Sequence, residues 1–196
     1  RDAEIHYWKQ IAEGGDKVAL DKELSSRLGQ LDEDFAFIAE CNEGGEFMSE
    51  DKINRLNEIA KQTWIRTLDD SIGISWEESR RKNKSRKQAL PAVENVLSDK
   101  PEHIIERDEH ERMPEDNPWG FKLDVPEYKY NRGELYNLSV GRGTLSAEER
   151  YKINDHMTQT IIMLEQLPYP RHLRDVPSIA GRHHETMDGR GYPRKL

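Results

Sequence analysis

TLSAEERYKINDHMTQTIIML, residues 144–164, carries the plainest structural signal in the chain. Ser146 followed three residues later by Glu149 is a capping-box pattern, in which each side chain satisfies an orphan backbone N–H at a helix start. Behind it Ile153, Met157, Thr160, Ile161 and Leu164 recur at helical spacing. Pro168 and Pro170 end that helix. Pro177 suits the first turn of another, which would carry Ile179, Ala180 and His183 and stop at Gly189, Gly191 and Pro193. This region therefore reads as helix, turn, helix.

Toward the N-terminus the same signals return. Residues 2–12 place Ile5, Trp8 and Ile11 three apart, as on one face of a short helix, and Gly14-Gly15 stops it. Asp16 can cap a longer helix bearing Leu20, Leu24, Leu28, Leu31, Phe35 and Ile38, so the first two helices should form a hairpin. A third should start after Ser49, burying Ile53, Leu56, Ile59, Ala60 and Trp64. Ser75 and Glu78 form a second Ser-x-x-Glu pattern before a short charged helix. The basic run at 80–88 reads as a solvated charge run within an acidic chain. From about 89 to 143 prolines and scattered acids leave no sustained period, which predicts a long irregular connection with a short strand pair around Phe121–Leu138. The expected fold class is all-α, a helical domain carrying a long, partly irregular insertion.

Composition narrows the function. The 196 residues are 34% apolar and 35% charged, with a formal charge of −8 and a mean hydropathy of −0.97. An acidic chain of this kind argues against binding DNA, RNA or anionic membrane non-specifically. No apolar run approaches the roughly 18 residues of a membrane-spanning helix. No signal peptide is visible, and the single Cys41 excludes an internal disulfide. A cytoplasmic setting is the expectation.

The chemistry concentrates in HHETMDGRGYP, residues 183–193. His6, His103, His110 and His172 sit among charged residues and read as surface groups. His156, taken alone, reads as a buried helical histidine. Neighbours on a helix diverge by roughly 100°, so His183 and His184 would not easily serve one ion but could serve two adjacent ones. Binuclear hydrolytic centres hold ions about 3.5–4 Å apart, and His156 could complete one side. Imidazoles with carboxylates suit Fe, Mn or Zn rather than Ca. Glu185 and Asp188 could orient the imidazoles or cap the loop, and Gly189 and Gly191 could supply positive φ.

The segment resembles the signature of the HD-GYP family, HHE-x-x-DG-x-GYP, through His183, His184, Glu185, Asp188, Gly189, Gly191, Tyr192 and Pro193. GTLSAEERYKINDH, residues 143–156, is similar to that family's Leu-Thr-x-Glu-Glu helix start and the histidine it leads to, here His156. The resemblance covers residues 144–196. It implies an all-α, bacterial, metal-dependent phosphodiesterase that opens a cyclic dinucleotide such as cyclic di-GMP in signal transduction, through a hydroxide activated by two metals. It implies His156, His183 and His184 as metal ligands and two divalent ions, Fe or Mn first. The Gly-Tyr-Pro loop, from Glu185 to Pro193, is implied in substrate contacts and in contacts with signalling-domain proteins.

The family's other ligands include a His-Asp dyad followed by Gly-Lys, ahead of the helix that starts at Ser146. No His-Asp dipeptide occurs in residues 1–196, and a further family aspartate would fall beyond Leu196. With Arg1 at the start, the expectation is a fragment. Residues 1–143 would be a helical and loop-rich spacer and 144–196 part of the catalytic domain, without catalytic residues of its own and inactive alone. Two alternatives stand beside it: a non-catalytic cyclic-dinucleotide sensor or interaction module, and a metal phosphohydrolase acting on other nucleotides or phosphomonoesters.

Overall fold

Asp16 begins the longest helix for a visible reason: its carboxylate accepts the N–H of Val18 at 3.0 Å, satisfying one of the donors a helix start leaves unpaired. In a computed structural model that describes residues 1–85 and 88–196, this helix, α2 (Lys17–Glu43), packs against α1 (Asp2–Ala12) as a hairpin. The contact differs from the expected one. Tyr7 is the buried residue of α1, with its hydroxyl donating to Asp21 at 2.6 Å, while Ile5 and Trp8 are exposed. On α2 it is Phe37 that turns inward and Phe35 that is exposed.

Ser49 caps α3 (Glu50–Ala60) by accepting the N–H of Lys52. Leu56, Ile59 and Ala60 of α3 meet Phe37, Cys41 and Leu97 in one core cluster, joined by Leu135 and Leu138 of α5 (Glu134–Leu138). Trp64 does not join them. The helix has ended, and the β-favouring run Thr63-Trp64-Ile65 forms strand β1 (Thr63–Arg66), leaving Trp64 exposed. Its partner β2 (Ala92–Asn95) runs antiparallel, with Thr63 opposite Asn95. Between them lies α4 (Trp76–Lys82), capped by Ser75 as its pattern predicts. The basic run is not wholly solvated: Arg81 donates to the Glu102 carbonyl and Lys82 to the Asp70 carbonyl. Residues 86 and 87 of that run lie outside the described residues.

These elements form one compact unit, residues 1–103 with 132–144; a second comprises 104–131 with 145–196. In the second unit, β3 (Ile104–Glu106) pairs antiparallel with β4 (Tyr128–Asn131), with an irregularity between Ile105 and Glu106. A strand does fall within 121–138, but its partner lies upstream. The two small sheets correct the all-α expectation: the chain is mainly helical, not purely so. Helix α6 (Ala147–Glu165) carries the full reciprocal capping box of Ser146 and Glu149. Met157 and Ile161, both 0% exposed, form its buried face. After the prolines comes α7 (Val176–Ala180), with Pro177 in its first turn. Helix α7 packs on α6, where a Cβ at Gly181 would stand 3.0 Å from the Cδ1 of Ile161. That close approach delivers the end of α7 to the side of α6.

Candidate metal centre

Helix α7 stops at Ala180, so His183 and His184 do not lie on a regular helix; a turn carries them. This undoes the argument that neighbouring imidazoles must diverge. The centroids of the His183 and His184 rings are 4.1 Å apart, and that of His156 lies 5.3 Å from His184 and 6.5 Å from His183. One nitrogen from each ring falls within 4.8 Å of the others. Two donors on one ion, each about 2.1 Å from it, can be no more than about 4.2 Å apart. The three nitrogens therefore stand close to the spacing that a single ion requires.

Two of the rings are fixed in the tautomer that such binding needs. The Nδ1 of His156 lies 2.5 Å from the carbonyl oxygen of Ile153, and the Nδ1 of His183 lies 2.7 Å from that of Ala180. A carbonyl can only accept, so each Nδ1 carries a hydrogen, and Nε2 is the ring atom left to act as a ligand. In both cases the acceptor sits three residues back. Local backbone thus does the orienting that carboxylates often do for metal-bound histidines. Burial, and then the neighbouring His183 and His156, hold the pKa of His184 below the ordinary imidazole value, which favours its neutral form. Three imidazoles that each bring a nitrogen to one place form a donor set suited to a divalent metal.

The loop residues hold the backbone. Glu185 accepts the N–H of Arg194 at 2.6 Å and of Leu196 at 3.0 Å, one on each carboxylate oxygen. Asp188 accepts from the Thr186 hydroxyl at 2.5 Å and from the Arg190 N–H at 3.1 Å, and these bonds hold its carboxyl below the ordinary value. Neither carboxylate is in the converging donor group. Gly189 does adopt positive φ, +70°. Gly191 is needed for space instead: a Cβ there would lie 2.4 Å from both the Glu185 Cα and the Thr186 nitrogen. Its absence of bulk lets the chain cross itself, so that Tyr192 N–H reaches the His184 carbonyl at 3.1 Å. The Tyr192 ring then stacks on His184, with centroids 4.6 Å apart and planes at 13°. Burial raises the Tyr192 hydroxyl pKa. Pro193, fully buried, accepts the Lys122 N–H at 2.7 Å, and Arg194 Nε donates to the Trp119 carbonyl at 2.9 Å.

The anchoring segment 117–124 was not foreseen as part of this site. The signal for it was Asn117, whose side chain bonds both the N–H and the carbonyl of Phe121 and so braces the segment.

A family described as HD domain matches residues 91–196, more than half of the chain. The chain belongs to the HD-domain family. HD domains are in general metal-dependent phosphohydrolases, and the converging histidines lie inside the matched part of this HD domain. No curated protein and no solved structure matches the chain. No helix among the described residues is long and apolar enough to cross a membrane.

Proposed function

We propose that the HD domain described here belongs to a phosphodiesterase acting on a cyclic dinucleotide such as cyclic di-GMP, with His156, His183 and His184 as metal ligands. The observation that carries the reading is the conjunction of an unbroken HHE-x-x-DG-x-GYP segment with the convergence of its two histidines on His156. A divalent metal held there, Fe or Mn first, would stabilise charge on the phosphoryl oxygens and increase the acidity of a bound water. The chain's own residues prepare for that. Ile153 and Ala180 carbonyls aim two lone pairs, Tyr192 covers one face of His184, and Glu185 and Pro193 hold the loop that places them. A second ion of a binuclear pair would need donors beyond these three. Glu185, Asp188, Gly189, Gly191, Tyr192 and Pro193 form the loop proposed to meet substrate or a signalling-domain partner.

The test is metal content and cyclic di-GMP hydrolysis after anaerobic loading with Mn or Fe, in this chain and in a longer form of the protein. Turnover in the longer form that His183→Ala or His184→Ala abolishes supports the reading. Turnover retained by both variants would remove the histidines from the ligand set. Metal-independent nucleotide binding without cleavage would mark a sensor instead.

A further inference from the structure

The second unit contains another polar feature that the histidine site does not use. Thr158 on α6 is 1% exposed, yet its hydroxyl has no hydrogen-bond partner. It lines a cavity of 490 Å³ between α6 and the segment 112–125. A buried hydroxyl without a partner is disfavoured, since it has left water and gained nothing in return. Valine has nearly the same shape and would avoid that penalty.

The cavity has a definite chemistry. Phe121, Leu123, Val125 and the ring of Tyr151 give it an apolar wall, and Asp155 brings a carboxylate from the same helix as Thr158. No ion pair or hydrogen bond engages the Asp155 carboxylate among the described residues. The cations on the same cavity are Arg112, whose guanidinium donates to the Glu127 carbonyl, and Lys122; Asp124 is paired with Lys195. The wall is braced, because the Asn117 side chain holds both backbone groups of Phe121. At about 100° per residue, Tyr151, Asp155 and Thr158 all point roughly 100–160° around α6 from His156. The cavity is therefore on another side of the helix from the metal ligands. Its volume falls within the roughly 300–1,000 Å³ of small-molecule sites, which combine apolar walls with a few placed polar groups.

We propose that this cavity is a second ligand site, for a small molecule with an apolar body and N–H donors that meet the Asp155 carboxylate and the Thr158 hydroxyl. A carboxylate only accepts, so the ligand must donate. A protonated amine and a neutral N–H-bearing heterocycle share that chemistry. The inference does not depend on what the histidine site hydrolyses.

Two probes separate the sources: tryptamine, with an ammonium, and guanosine, with neutral ring and amino N–H groups. Each is titrated into the metal-free chain and followed by amide chemical shifts and by thermal unfolding. Saturable binding of at least one is expected, with shifts centred on residues 121–125 and 151–158. Asp155→Asn should weaken it about tenfold or more, and His184→Ala should leave it unchanged. Thr158→Val should weaken it several-fold while raising the melting temperature of the ligand-free chain. The proposal is overturned if neither probe saturates, as for a cavity that holds only water. It is equally overturned if Asp155→Asn binds like the unaltered chain, or if His184→Ala abolishes binding.

Discussion

In the first unit, Arg66 donates to Glu94 at 2.5 Å, Lys100 reaches the same carboxylate at 2.8 Å, and Lys82 pairs with Asp70 at 3.1 Å. Each charge of that network meets its opposite. In the second unit, one nitrogen from each of three imidazoles lies within 4.8 Å of the others, and among the described residues no carboxylate joins this donor group. Both arrangements gather polar groups from separate segments, but only the first is a set of opposite charges. The comparison sets polar residues that hold a fold together beside the polar residues proposed as metal ligands.

The sharpest way to break this comparison is to remove one member from each set. His184→Ala should reduce metal affinity by about 100-fold or more, since even disturbing the residues behind a metal ligand costs about 10–100-fold. Its thermal stability without metal should be nearly unchanged. Competition with a chelating dye and a melting curve measure the two. Gly191→Ala should damage both properties, because its Cβ would meet backbone at 2.4 Å rather than a movable side chain. A loss of about 3 kcal/mol in urea unfolding is expected, at the upper end for overpacking. An equally stable Gly191→Ala chain with full metal affinity would show that the crossing does not hold the histidines.

Glu94→Ala should do the reverse of His184→Ala. It removes the nearer of the two carboxylates that Arg66 and Lys100 share, Asp70 being the other, in a site where the Glu94 side chain is 11% exposed. The expected loss is about 3 kcal/mol, with metal affinity unaltered. Acid should reach the same network. Burial works against ionisation of Glu94, but hydrogen bonds from Lys100 and Arg66 outweigh it and lower its pKa. Asp70 is likewise lowered: burial works against ionisation, and Lys82, Arg66 and Lys100 together outweigh it. The unfolded chain then takes up these protons first as the pH falls. The stabilisation is thus complete above the ordinary carboxylate range and disappears as the pH drops through and below it. Urea midpoints of the chain and of Glu94→Gln, measured down the acid range, should converge. Ser146→Ala is the mildest change: losing half of the capping box should cost about 1 kcal/mol, with His156 still in place.

What the sequence made legible was local. The caps at Asp16, Ser49, Ser75 and Ser146 all stand where their spacing puts them, because each satisfies N–H groups within three residues. The stops at Gly14-Gly15 and Pro168 are local in the same sense. The histidines could be named because the surrounding motif is continuous in the chain. Their convergence could not, because it depends on where α7 ends and on how closely Gly181 lets it approach Ile161. The strands were mostly hidden for a related reason. Residues 63–66 and 104–106 are too short to show alternation, and each is defined by a partner far along the chain. Phe35 and Phe37 lie two apart on one helix, so only the packing of α3 and Leu97 decides which turns inward. Glu185 read as a group that might serve the imidazoles, whereas its oxygens are taken by two backbone donors nine and eleven residues on.

The carbonyl bonds to His156 and His183 have a consequence for how the centre fills. A free imidazole in water passes between two tautomers, and an ion arriving at the wrong nitrogen must wait for a proton to move. Here the folding of α6 and of the turn after α7 has settled that choice beforehand. In the proposed centre, an ion would then meet Nε2 of His156 and His183, and ligation through their Nδ1 atoms would first have to break a bond to the backbone. For the proposed ligands, the backbone would act as a filter on arrival as well as a support after it.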